Sequence, residues 1–306
     1  MNHLKSSISK AILTGEHAVV YGASAIAIPI ENCKSFAKIT SNNNEMIIKA
    51  TQLNELYNFK NENLSPLETC VKNFFSFYQI PFKEKISLEV FSDIPIGSGM
   101  GSGASISASI IKSLASYFSI EINKEDLYKQ VLEIEKIYHG NPSGIDQTVI
   151  IYEKPIFFIK NNPNNEILDI NLKNYSFIII DSKIKSSTIK VVNWIKEQKE
   201  KNLSFYDNLF KEIDTISKKS KLAIQNNNYN TLAELLNINH LLLQEMGVSC
   251  IELDEIVKIS LESGAIGAKM SGAGWGGIVI SLVEEDKKSY FIKKMRNKNL
   301  EVISSK

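Results

Sequence analysis

Asp93–Ile94–Pro95–Ile96–Gly97–Ser98–Gly99–Met100–Gly101–Ser102–Gly103–Ala104–Ser105 is the stretch on which the reading of the fold turns. Four glycines alternate from Gly97 to Gly103, and a backbone without side chains can close tightly around a ligand. Downstream, Ile106, Ile110, Leu114 and Phe118 recur every fourth residue, which predicts an amphipathic helix over 104–118. Upstream, Lys85–Ile86–Ser87–Leu88–Glu89–Val90–Phe91 alternates as a half-buried strand does. Strand, glycine loop and helix N-terminus in that order build an anion site from backbone N–H groups and the helix dipole. A flexible turn of small residues is the structural alternative, and the well-marked elements on either side argue against it. The stretch therefore reads as a phosphate cradle made by Pro95, Gly97, Ser98, Gly99, Met100, Gly101, Ser102, Gly103, Ala104 and Ser105. It is not a Walker loop, because no Gly-Lys-Ser/Thr closes it. Nor is it a dinucleotide fingerprint, which needs a βαβ start and a well-placed acidic residue that this chain lacks.

The chain has 306 residues, enough for about two domains with a sizeable core. Lysine plus arginine number 35 against 34 acidic residues, so no broad electrostatic footprint for nucleic acid is present. Cys33, Cys70 and Cys250 are far apart, odd in number and in no metal spacing, which fits a reducing compartment. No apolar run reaches the roughly 18 residues of a membrane span, and Met1–Ser7 lacks the apolar core of a signal peptide. A cytoplasmic protein without membrane or nucleic-acid partners is the expectation.

Ser9–Gly22 (SKAILTGEHAVVYG) opens the fold with an apolar run into Gly15, and a strand-like stretch resumes at Ala25–Ile30. Lys10, Glu16 and His17 are its polar groups; Glu16 and His17 read either as turn residues capping 18–21 or as hydrogen-bonding groups in a pocket. Residues 35–50 predict two strands joined by the turn Ser41–Asn42–Asn43–Asn44. Ser65 and Glu68 suit a capping box before an aromatic-faced helix, and Asn123–Asp126 starts another that carries Glu133 and Glu135.

That second helix runs into His139–Gly140–Asn141–Pro142–Ser143–Gly144–Ile145–Asp146. Pro142 and Gly144 impose a turn, which places Asp146 on a loop, with Gln147–Tyr152 read as a strand. A carboxylate so held can accept a hydroxyl proton or orient the hydroxyl for attack; a solvated loop aspartate is the bland reading. Asn161–Asn165 is read as a loop, and a second domain is expected from about Asp181, giving domains at 1–181 and 182–306. Amphipathic helices are predicted near 187–200, 204–220, 229–246 and 252–263. Finally, Ala268–Gly277 (AKMSGAGWGG) lies between two strand-like pieces and carries more glycine than a hairpin requires.

Pro95 to Ser105 resembles the central motif of the GHMP small-molecule kinases. Lys10–Gly22 resembles the N-terminal motif of the mevalonate kinases within that family, with Ile8–Ser9 replacing the usual Pro-Gly. Asn141–Asp146 resembles their catalytic-aspartate loop, and Lys269–Gly277 the third family motif, with Trp275 where glycine is common. The resemblance spans 10–277 and implies an α+β, two-domain fold with the active site in a cleft between a phosphate-loop domain and a C-terminal sheet-plus-helices domain. It implies ATP-dependent phosphorylation of mevalonate, with Asp146 and Lys10 catalytic and Mg²⁺ held by Glu135. Glu16, His17, Asp146, Thr188, Gly272 and Ala273 would contact mevalonate, although Thr188 could equally belong to a helix cap. The family's second serine is Gly103 here, so either water fills that magnesium position or Ser102 or Ser105 substitutes as ligand. A homodimer is an allowed assembly. Another kinase of the family, the related decarboxylase and a catalytically silent ligand-binding homologue are the rival readings.

Overall fold

A computed structural model describes residues 3–42, 45–61, 63–139, 142–160, 162 and 165–305. In chain order its elements are strands β1 (His3–Thr14), β2 (Ser24–Ser41), β3 (Ile47–Ala50) and β4 (Glu55–Tyr57), helix α1 (Pro66–Phe77), β5 (Ile86–Ser92), and helices α2 (Ser102–Tyr117), α3 (Lys124–His139) and α4 (Ile145–Tyr152). Then come β6 (Ile156–Ile159), β7 (Glu166–Ile167), β8 (Tyr175–Asp181), α5 (Thr188–Lys201), α6 (Leu203–Gln225), α7 (Tyr229–Glu245) and α8 (Ile251–Glu262). β9 (Gly267–Ser271), β10 (Ile278–Glu284), α9 (Lys288–Asn297) and β11 (Glu301–Ser305) complete the chain. Two compact units share it: Met1–Ser9, Glu31–Ile94 and Gly101–Glu153 form the first, and Lys10–Ile30, Pro95–Met100 and Lys154–Lys306 the second.

In the first unit β5 lies between β2 and β3, antiparallel to 35–41 of β2 and parallel to β3, with β4 beyond β3. The two strands expected over 35–50 are present, but they do not pair with each other. Of the asparagine turn proposed between them, Asn43 and Asn44 lie outside the described residues. Helices α1, α2, α3 and α4 pack together over a core that includes Phe74, Phe75, Leu88, Ile110 and Leu114. Sequence chemistry fixes where α1 starts. Ser65 Oγ accepts from the Glu68 amide at 3.2 Å, and Glu68 Oε2 accepts from the Ser65 amide at 2.8 Å. That reciprocal capping box satisfies two donors the helix itself cannot.

The strand expected over Gln147–Tyr152 is helix α4, so Asp146 sits in the first turn of a helix and not on a loop. Gly144, at φ +96°, supplies the left-handed turn that starts it, and the Thr148 hydroxyl donates back to the Gly144 carbonyl at 2.6 Å. Ile145 and residues 147–151 are all buried, because α2 and α3 both pack on this short helix. A segment covered on every side shows neither helical nor strand periodicity, and eight residues suit either element.

In the second unit residues 24–27 of β2 pair with β6, and β6 pairs with β7. A separate antiparallel sheet runs β11-β8-β10-β9. The buried run Phe177–Ile180 of β8 faces Leu282–Val279 of β10, while α7, α8 and α9 cover the sheet. The four expected helices are present as α5 to α8, with α6 extending to Gln225. Of the loop expected over 161–165, Asn161, Pro163 and Asn164 lie outside the described residues. No helix among the described residues is long and apolar enough to cross a membrane.

Candidate active site

β1 places Lys10, only 2% exposed, beside the glycine loop in the second unit. Its Nζ donates to the Gly99 carbonyl at 2.8 Å and its amide to the Met100 carbonyl at 3.1 Å. Side chain and backbone of one residue thus fix the loop's path. From the other side comes the segment between β9 and β10. A Cβ on Gly99 would lie 3.3 Å from the Gly272 Cα, and one on Gly277 only 2.7 Å from the Ser98 carbonyl oxygen. The glycines of 268–277 do more than close the β9–β10 turn, since they let two loops meet backbone to backbone. Ser271 Oγ ties the same segment to β1, accepting from the Ile12 amide and donating to the Ile12 carbonyl, both at 2.9 Å.

Glu16 and His17 follow the end of β1. The Ala18 amide donates to the Glu16 carbonyl at 2.6 Å across a single residue, and His17 has φ +59° and ψ −50°. This is a γ-turn with positive φ at its centre, a strained conformation that a histidine keeps only where the surroundings enforce it. One such constraint is the ring itself. Nε2 lies 2.8 Å from the Ala273 carbonyl oxygen, which can only accept, so Nε2 carries the hydrogen. Burial pushes the His17 pKa down to about 4, leaving a neutral ring whose Nδ1 can accept a hydrogen bond from a hydroxyl.

Glu16 is 1% exposed, and its partner is Lys269, which is 0% exposed on β9. Lys269 Nζ donates to Glu16 Oε1, to the Met270 carbonyl and, at 3.5 Å, to the Ile12 carbonyl. Burial raises the Glu16 pKa and lowers that of Lys269, while the attraction between the two opposes both shifts. Sequence reasoning assigned no role to Lys269. The signal was a lysine in an otherwise small and apolar string, AKMSGAG.

Thr188 is the first residue of α5, and Ser187 before it makes no side-chain capping bond. The Ser186 hydroxyl donates to the Gly274 carbonyl, and the Ser186 amide to the Gly97 carbonyl at 3.1 Å. This turn is therefore anchored to both glycine loops of the unit. Trp275, whose direction the sequence left open, donates its indole N–H to the Gly247 carbonyl at 3.0 Å and meets Trp194 edge-on.

In the first unit Gly101, at φ +74°, is the N-cap of α2, and Ser102, Gly103 and Ala104 form its first turn. The Ser105 amide already donates to the Gly101 carbonyl at 3.0 Å, so the amides without an intrahelical acceptor lie before it. The Ser105 hydroxyl is also engaged, 2.7 Å from Ser35 Oγ and donating to the Ser7 carbonyl at 3.0 Å. Glu135 is 2% exposed on α3. No group of three or more His, Cys, Asp or Glu able to hold a metal occurs among the described residues. A buried carboxylate and a helix-terminal serine hydroxyl are oxygen donors in a number that suits Mg²⁺, which takes one or two protein ligands and completes its shell with phosphate and water.

Two family models match this chain, "GHMP kinases N terminal domain" over residues 65–154 and "GHMP kinases C terminal" over residues 220–301. The chain belongs to the GHMP kinase family, whose members use ATP to phosphorylate small molecules. Its full-length relatives include mevalonate kinases. That of Methanocaldococcus jannaschii is 32% identical, covering 97% of this chain and 96% of the relative, and that of Schizosaccharomyces pombe is 29% identical, covering 91% and 82%. The crystal structure of the Methanococcus jannaschii mevalonate kinase superposes with a TM-score of 0.86 at 29% identity, over 99% of this chain and 97% of that one.

Proposed function

We propose that this chain is a mevalonate kinase, transferring the γ-phosphoryl group of ATP to the 5-hydroxyl of mevalonate in the cytoplasm. The observation that carries the reading is the joint placement of Lys10 against Gly99 and of the Glu16–His17 turn against Ala273. Lysine, a polar turn and two glycine loops are thereby locked together in one unit, in a chain of which 97% aligns with a mevalonate kinase.

The amides of the glycine loop and of Ser102, Gly103 and Ala104 receive the ATP phosphates, with the positive end of α2 behind them. The Glu16–His17 turn, Thr188, Gly272 and Ala273 contact mevalonate, the neutral His17 ring accepting from one of its hydroxyls at Nδ1. Asp146 takes the proton of the 5-hydroxyl as that oxygen bonds to the γ-phosphorus and the bond to the bridging oxygen of ADP breaks. Lys10 stabilises the negative charge that develops on the transferring group. Glu135 would hold Mg²⁺, with water in the position that a serine at 103 would take, and the ion supplies charge neutralisation on the phosphates when bound.

The test is ADP release measured by a coupled assay with mevalonate, phosphomevalonate, homoserine and galactose in parallel. Mevalonate should be turned over at least about 100-fold more efficiently than the others, a difference of about 2.7 kcal/mol in transition-state binding. Equal or better turnover of any other alcohol overturns the assignment.

A further inference from the structure

Lys269 is a cation that the proposed reaction does not use, sealed from solvent in the middle of β9. A buried ammonium is expensive unless every donor is matched, and this one is matched on three sides. Its acceptors come from separate segments: the Ile12 carbonyl of β1, the Glu16 carboxylate that follows β1, and the Met270 carbonyl of β9. It therefore joins the loop that meets Gly99 to the turn that carries His17. Glu16 Oε2 has no hydrogen-bond partner among the described residues, nor has the neighbouring Thr14 Oγ1. Lys269 is thus the side chain that donates to the carboxylate, through Oε1.

We propose that Lys269 is a positioning residue for mevalonate, its ammonium holding the Glu16 carboxylate and, through it, the strained turn at His17 in the one orientation that presents the ring to substrate. The inference rests on the reading that this turn contacts mevalonate. Strain at His17 is what makes a positioning residue necessary, because a turn with positive φ relaxes when its anchors go. The Ala273 carbonyl anchors the ring and Lys269 anchors the residue before it. Lys269 acts through Glu16 and does not touch the reacting atoms.

Four variants test this: Lys269→Met, Lys269→Gln, His17→Ala and the pair Glu16→Gln with Lys269→Met. Lys269→Gln keeps a donor for the Glu16 carboxylate and carries the comparison if Lys269→Met does not fold. KM for mevalonate should rise about tenfold in Lys269→Met and less in Lys269→Gln, with KM for ATP within about twofold of the wild type. The double variant should be no worse than Lys269→Met, since both substitutions break one interaction.

The pH profile supplies a readout that lost packing would not move. The charged groups around the Glu16 carboxylate are Lys269 and Lys10, and His240 is influenced by Lys269 in turn. Removing Lys269 leaves the burial of Glu16 less opposed, so the acid limb of kcat/KM for mevalonate should move to higher pH in Lys269→Met. If His17→Ala leaves KM for mevalonate unchanged, the turn does not bind mevalonate and the site reading itself fails. If His17→Ala raises it while the lysine variants leave both KM and the acid limb unmoved, or change both substrates' KM values alike, Lys269 has no positioning role.

Discussion

Replacing Gly272 by alanine separates the backbone contact of the two glycine loops from ordinary strain. The new Cβ would stand 3.2 Å from the Gly99 Cα and 3.3 Å from the Gly99 carbonyl oxygen, so Gly99 must give way by a few tenths of an ångström. Gly272 also has φ +99°, where a side chain costs about 1–2 kcal/mol, and the crowding adds about 1–3 kcal/mol. At about 2–4 °C per kcal/mol for a chain of this class, Tm should fall by roughly 4–20 °C. Activity should fall for a different reason. The Gly99 carbonyl accepts from Lys10 Nζ at 2.8 Å, so displacing it displaces Lys10, and kcat should drop by about tenfold or more if that lysine acts as proposed. Gly264→Ala is the control: its φ is +106°, yet nothing lies within 4 Å of the added Cβ. That variant should lose only the conformational part of the stability and keep its kcat. Thermal unfolding and the coupled assay at 25 °C read both quantities. A wild-type kcat in folded Gly272→Ala, or an equal loss in Gly264→Ala, would refute the reasoning.

Asp146→Asn and Lys10→Met should each lower kcat by about 100-fold or more while ATP still binds, measured by steady-state kinetics and nucleotide titration. Gly103 is helical in α2 and absent from the positive-φ residues, so serine fits its backbone; Gly103→Ser should lower the Mg²⁺ concentration for half-maximal rate, with Ser102→Ala doing little. The opposite pattern would make Ser102 the metal ligand. For His17, an unfolded pKa near 6.5 and a folded value of about 4 mean that the unfolded state binds more protons between those limits. Stability present above pH 6.5 is then lost on acidification, by about 2 kcal/mol at pH 5, and His17→Asn should flatten the fall of Tm between pH 7 and pH 5.

What the sequence made legible was carried by residues with strong local rules. Alternating glycines between a strand and a periodic helix, and the Ser65–Glu68 capping box, act through their immediate neighbours, and both stand where the sequence put them. Residues 147–152 were misread because burial on all sides erases periodicity, and the structure there is helix. The role of Lys269 needed the fold: its partner Glu16 lies more than 250 positions away, and neither residue looks paired in the sequence. The γ-turn at His17 was hidden for a related reason, since no residue type favours that conformation and only tertiary contacts hold it. Helix α9, rich in lysine on its exposed face, and the short strand β11 carried too little apolar pattern to be anticipated.

The central claim is tested most directly by the identity of the product. The protein, incubated with ATP, Mg²⁺ and mevalonate, should yield a phosphomonoester whose ³¹P resonance couples to the methylene protons of C5, in a one-to-one ratio with ADP. Phosphorylation at another oxygen, or ADP released without a phosphoester of mevalonate, would contradict the account. So would a diphosphate made from phosphomevalonate in preference.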